Sequence, residues 1–164
     1  MTTNNIFEKL ADRWKDVDYM ESESDIPEIK KCVIQAKTLY NIITQIPDLS
    51  ITSAIINSSP NLTSQFKTAY NSTFLAITDE SWLSLFSYEE LDATPNKFQE
   101  AVLYGLIEGK YTYYKHGQYI QNVSKNDLLV ERDRDQVYIE NIRLKINNAT
   151  YTTDINTNCV LYLI

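Results

Sequence analysis

Residues 94–117 read TPNKFQEAVLYGLIEGKYTYYKHG, and the fold expected of the whole chain turns on them. Thr94-Pro95 is a helix start, because proline at the first helical position gives up only an amide that has no partner there. Phe98, Ala101, Val102, Gly105 and Leu106 then share one helical face, with Tyr113 further along it. Lys115 and His116 suit the last turn, where cations meet the negative helix end, and Gly117 suits the left-handed residue after it. So read, the segment is one long helix. Gly105 and Gly109 lie one turn apart on it and let a neighbouring helix approach closely.

Upstream, the same punctuation recurs. Asp25-Ile26-Pro27-Glu28 supplies a cap, a first-turn proline and a capping-box acid. Ile29, Val33, Ala36, Tyr40 and Ile43 form an apolar stripe, widened by Cys32, Leu39, Ile42 and Ile46, and Pro47 ends it. Asp48 caps a short helix through Ile56. Ser59-Pro60 opens another, with Leu62, Phe66, Ala69 or Tyr70, Phe74 and Ile77 on one face. Thr78 or Asp79 caps a helix bearing Trp82, Leu85 and Phe86. Residues 4–17, with Ile6, Leu10, Trp14 and Val17, read as an amphipathic arm, joined by the acidic link 18–25.

Downstream, the period changes from helical to two. Leu128-Leu129-Val130 precedes the charged turn 131–135, and Ile142, Leu144 and Ile146 alternate with Arg143 and Lys145. Asn147-Asn148 is a turn into residues 149–153, and residues 159–164 form a buried strand. A helix continuing through 125–146 is the alternative. The expected fold is α+β, mainly α: an N-terminal helical bundle followed by a small C-terminal antiparallel sheet. It is expected as a single domain over 1–164, with an arm and link at 1–25, the bundle at 26–117 and a β-rich part at 118–164.

Composition bounds the chemistry. Of 164 residues, 43% are hydrophobic and 23% charged, which is ordinary for a globular domain. Only three are glycine, all within 105–117, which argues against enzymes built on glycine-rich phosphate loops. The net charge of −7 disfavours wrapping nucleic acid. Acid concentrates in the N-terminal arm and around Glu89, Glu90 and Asp92. Cys32 and Cys159 sit in apolar runs and read as buried thiols of a reducing compartment. The N-terminus lacks the apolar core of a signal peptide, and no apolar run is long enough to cross a bilayer. The sequons at Asn57, Asn61, Asn71, Asn122 and Asn148 then reflect an Asn-, Ser- and Thr-rich chain.

The candidate chemical motifs are weak. Gly105 to Lys110 has one residue too few between its glycines for a phosphate loop, and Tyr111 stands where a Ser or Thr is needed. Asp92 with Glu108-Gly109-Lys110 loosely matches a magnesium nuclease, but Glu28-Ile29-Lys30 repeats the triplet. His116 has no activated thiol partner. Asp16-x-Asp18 and Asp133-x-Asp135 lack the rest of a calcium loop. No catalytic, cofactor or metal residue is therefore assigned. The densest cluster is aromatic and basic: Tyr111, Tyr113, Tyr114 and Tyr119 with Lys110, Lys115 and His116. Tyrosine supplies contact area at low entropic cost, so these residues and Trp14 are the candidate interface.

The Pro95-started helix, with Ala101-Val102, Leu106-Ile107 and tyrosines ending at Lys115, resembles the late helix of tailed-phage head-to-tail connector (adaptor or ring) proteins. The resemblance spans about twenty residues, and such helices pack side by side into rings. It implies a non-enzymatic virion structural protein, assembled in the host cytoplasm, acting as a homo-oligomer beside portal or tail proteins. No membrane contact and at most non-sticking proximity to DNA would follow. Two other readings stand beside it: an acidic phage or mobile-element protein that inhibits a host factor, and a small metal-dependent nuclease-like enzyme.

Overall fold

The computed structural model describes residues 6–11, 35–144 and 151–164. Residues 6–11 are helical. Strand β1 (Gln35–Ala36) leads into α1 (Leu39–Gln45), a 3-10 turn (Pro47–Leu49), α2 (Ser50–Asn57) and α3 (Pro60–Thr68). Strand β2 (Ser72–Ala76) is followed by α4 (Asp79–Leu85), α5 (Tyr88–Ala93), a second 3-10 turn (Pro95–Phe98) and α6 (Gln99–Tyr104). The remaining described elements are strands: β3 (Leu106–Glu108), β4 (Tyr119–Gln121), β5 (Asp127–Asp133), β6 (Gln136–Ile139), β7 (Ile142–Arg143), β8 (Tyr151–Thr153) and β9 (Val160–Leu163).

Two sheets organise these elements. The first has five strands in the order β1-β8-β9-β2-β3. Its centre is a parallel pair, with Phe74 of β2 opposite Leu161 of β9. β3 runs antiparallel to β2, β8 antiparallel to β9, and β1 parallel to β8. The second is an antiparallel meander, β4-β5-β6-β7. A bridge between Ile107 and Asn122 joins the two.

The helices are short and individually capped. Thr38, Ser59, Thr78 and Ser87 each accept a hydrogen bond from a first-turn amide, at Asn41, Leu62, Ser81 and Glu90. Each such cap contributes about 1 kcal/mol. Tertiary packing supplies the rest, since helices this short are marginal alone. Trp82, Phe86 and Phe98 interlock, with centroid distances of 5.6 Å for Trp82–Phe98 and 4.9 Å for Phe86–Phe98. Buried Thr52 threads this layer: its hydroxyl donates to the Ile77 carbonyl (2.7 Å) and accepts from the Trp82 indole (2.9 Å).

The expected helical bundle followed by a small sheet is not what forms. Residues 94–117 do not make one helix. They break into the second 3-10 turn, α6, β3 and a loop. Gly105 caps α6, and its carbonyl accepts from the Leu75 amide at 2.8 Å, so the chain passes from helix into sheet within one residue. Likewise Phe74 lies in β2 rather than on the helix begun by Pro60, which ends at Thr68. All five residues of β2 are buried. A strand buried on both faces loses its alternation and becomes an apolar run that helix periodicity also fits. Ala36, placed on a helical stripe, is in β1, and α1 begins only at Leu39. Through 125–144 the chain is strand and turn, so the helical alternative for that segment fails in these residues. Residues 12–34 and 145–150, with the acidic link, Cys32 and the start of the Pro27 helix, lie outside the described residues.

Candidate functional site

Beyond β3 the chain turns at Gly109, whose φ of +104° is one that glycine adopts freely. The Thr73 hydroxyl fixes the turn. It donates to the Gly109 carbonyl (2.7 Å) and accepts from the Tyr111 amide (2.8 Å). Tyr111 and Tyr114 then stack at 5.9 Å, and Tyr114 meets Tyr162 of β9 edge-on at 6.1 Å. Tyr114 is only 1% exposed. Tyr162 spends its hydroxyl proton on the Tyr111 carbonyl (2.8 Å), and the Tyr114 hydroxyl has no hydrogen-bond partner among the described residues. Burial, with Tyr162 as the next cause, pushes the Tyr114 phenol far above its ordinary range. Burial also raises Tyr162.

These inward tyrosines anchor a loop whose other face is outward. Tyr113 is 72% exposed and Tyr119, on β4, 66%. Arg132 of β5 reaches the loop. Its guanidinium sits 5.4 Å from the Tyr113 ring centroid and donates through Nη1 to the Tyr114 carbonyl (2.9 Å). Its backbone amide donates to His116 Nδ1 (3.0 Å). The Gly117 amide donates to the Val130 carbonyl and the Val130 amide to the Gln118 carbonyl, both at 2.8 Å, so the loop is laid along β5 like an added strand. Gln118 Oε1 closes the turn by accepting from the Lys115 amide (2.9 Å). The result is a ledge of Tyr113, His116 and Arg132, with the exposed Lys115 at its rim, while Tyr119, paired with Leu129, lies on the other face of the sheet.

Asn122 holds the base of the ledge. Fully buried, it donates through Nδ2 to the Tyr104 carbonyl (3.0 Å) and accepts through Oδ1 from the amides of Ser124 (3.0 Å) and Asn126 (2.8 Å). One side chain thus ties α6, the bridge to β3 and the β4–β5 turn together.

Of the expected interface residues, Tyr111 and Tyr114 come together inside and Tyr113 and Tyr119 lie outside. Trp14 falls outside the described residues. The two glycines do not face a neighbouring helix. Gly105 faces strand β2, where a Cβ would lie 2.5 Å from the Leu75 carbonyl oxygen, and Gly109 is a turn residue against the Tyr111 ring. Gly117, with φ +84°, follows a loop rather than a helix. Sequence reasoning passed over Arg132 as part of a charged turn and over Asn122 as one sequon among several. Local pattern offers no signal for Arg132, whose partners lie in the 113–116 loop; for Asn122 the turn to Ser124 is local, but the bond to the Tyr104 carbonyl that ties it to α6 is not.

The catalytic alternatives find no assembled site. Among the described residues no group of three or more His, Cys, Asp or Glu is arranged to hold a metal ion. Glu108 pairs with Lys125 at 2.8 Å, and Lys110 Nζ donates to Asn158 Oδ1 (3.1 Å). Burial pushes the Cys159 thiol up, away from thiolate.

A family model described as Fasciclin domain matches residues 47–164. No curated protein matches the chain. The family match covers most of the chain, and it overturns the resemblance to phage connectors. That resemblance rested on a helix over 94–117 that does not exist. With it go the virion structural role, the ring packing and the virion location, since the matched family is one of adhesion domains, typically secreted or at the cell surface.

Proposed function

The chain belongs to the fasciclin-domain family, and from that premise we propose that it is a non-enzymatic adhesion module whose ledge of Tyr113, His116 and Arg132 grips a protein partner. The observation that carries this reading is the Arg132 guanidinium held against exposed Tyr113. Tyrosine and arginine are the residues that dominate binding energy at protein interfaces. Here both are ordered in advance: Arg132 by the Tyr114 carbonyl, the loop by the buried Tyr111–Tyr114–Tyr162 stack. Binding then costs little side-chain entropy.

A second copy of the chain is the partner that fits best. On α5 the exposed Tyr88 stands beside Glu89 and Glu90, an aromatic-acidic face complementary to the aromatic-cationic ledge. Beads coated with the chain are expected to aggregate, and more weakly as salt rises. Tyr113→Ala with Arg132→Ala is expected to lower self-affinity by about thirtyfold, the scale of losing a hot spot. Dispersed beads together with a monomer at every concentration in sedimentation would refute this reading.

A further inference from the structure

Four short segments converge at one end of the five-stranded sheet. β2 and β9 start there, and β1, β3 and β8 finish there, as their pairing directions require. The segments are residues 37–38, 69–71, 109–111 and 154–158. They are bound to one another. The Asn71 amide donates to the Thr157 carbonyl (2.7 Å), the Gly109 amide to the Asn71 carbonyl (2.9 Å) and the Asp154 amide to the Ala36 carbonyl (3.0 Å). Asn158 Nδ2 donates to Asn71 Oδ1 (3.0 Å), and the Thr157 hydroxyl to the Lys37 carbonyl (2.7 Å). Asn71 and Asn158 both hold left-handed backbones, with φ of 51° and 53°. Side chains projecting from such a braced end are presented on a fixed frame.

What projects is apolar and cationic. Ile155 is 87% exposed, more than any other large hydrophobic residue among those described, and Tyr70 is 68% exposed. Around them stand exposed Lys37, Lys110, whose Nζ also donates to Asn158 Oδ1 (3.1 Å), and, three residues before Tyr70 at the end of α3, exposed Lys67, whose Nζ lies 4.9 Å from the Tyr40 ring centroid. The one acid in these segments, Asp154, is turned to its own loop, where Oδ1 accepts from the Asn156 and Thr157 amides. A chain of net charge −7 thus has a locally cationic end tipped by an aliphatic and an aromatic side chain.

We propose that this end is a peripheral docking face for an anionic lipid bilayer. Ile155 and Tyr70 enter the boundary between headgroups and acyl chains, and Lys37, Lys67 and Lys110 hold the anionic headgroups. Exposed aliphatic and aromatic tips with basic neighbours are the pattern of interfacial attachment. A polyanionic sugar would satisfy the lysines but leave Ile155, which has no hydrogen-bonding group, with nothing to gain. Attachment is interfacial, because no helix among the described residues is long and apolar enough to cross a membrane.

The test uses the full chain with vesicles of phosphatidylcholine alone and with added phosphatidylserine. Sedimentation with the anionic vesicles only is expected. Ile155→Ser is expected to lower partitioning by about tenfold, the scale of losing one buried aliphatic side chain. Each of Lys37→Glu and Lys67→Glu removes at least about fivefold, from the lost attraction of one lysine. All three sites are exposed or at the surface, so the thermal midpoint should not move, and Ile155→Trp emission should shift to the blue on anionic vesicles. Failure to sediment, or retention of binding by these variants, overturns the proposal. So does tighter binding to soluble dextran sulfate with unshifted Ile155→Trp emission, or a self-association that these variants abolish.

Discussion

The five-stranded and four-stranded sheets use similar residues to opposite ends. In β2 every side chain is buried, and β9 is buried but for half-exposed Leu163. In β5 and β6 burial alternates: Leu128, Val130, Val137 and Ile139 point inward, and Leu129, Glu131 and Tyr138 are partly exposed, with Arg132 at the rim of the inward face. The central pair of the first sheet is covered on both faces, so it carries stability. The second is covered on one face, so its open side and the loop laid along it can carry recognition. Substitutions should therefore separate cleanly into those that unfold the chain and those that leave it folded and unable to bind.

Gly105→Leu should do the most damage. A side chain there would have to displace the Leu75 carbonyl, which is backbone of the central strand, at a cost of about 3 kcal/mol or more. Urea unfolding with an unshifted midpoint would remove the central sheet from its supposed role. Asn122→Ala comes next, at about 2–3 kcal/mol, because two amides and a carbonyl lose their buried partner at the junction of the sheets. Thr52→Val should cost about 1–2 kcal/mol by orphaning the Trp82 indole and the Ile77 carbonyl.

Smaller effects sharpen the contrast. Tyr114→Phe should be neutral or stabilising by up to about 1 kcal/mol, since the hydroxyl it removes is buried without a partner. It should also soften the alkaline loss of stability. The phenols of Tyr104, Tyr114 and Tyr162 are raised from 10.0, and the Cys159 thiol from 9.0. The unfolded chain therefore ionises first. What these groups contribute is fully present below about pH 8 and is lost as pH rises through 9 and 10 and beyond. Denaturation midpoints from pH 8 to 11 should show a shallower fall in Tyr114→Phe. Tyr113→Ala should leave the thermal midpoint within about 2 °C of wild type, as an exposed side chain with few neighbours. Its effect belongs to bead aggregation.

Legibility in the sequence followed the same division. The open sheet was visible in the alternation at Ile142–Leu144, because a half-buried strand writes its period into the sequence, and as an apolar run at Leu128–Val130. The caps at Ser59 and Thr78 were visible too, being contacts within one turn. Phe74 and Gly105 were misplaced because a doubly covered strand and a helix share an apolar pattern. The candidate site was half legible. Clustered tyrosines drew notice, but which of Tyr113 and Tyr114 faces water depends on Arg132 and Tyr162, far along the chain.

The sequence by itself determined the helix starts at Ser59 and Thr78 and the alternation around Ile142. Each depends on backbone preference or on neighbours within a few residues. Only the tertiary structure decided that β2 lies between β3 and β9, that Gly105 serves a strand, and that Asn122 is buried while Ile155 is bare. Those outcomes depend on segments distant in sequence meeting at one place, and no local pattern records such a meeting.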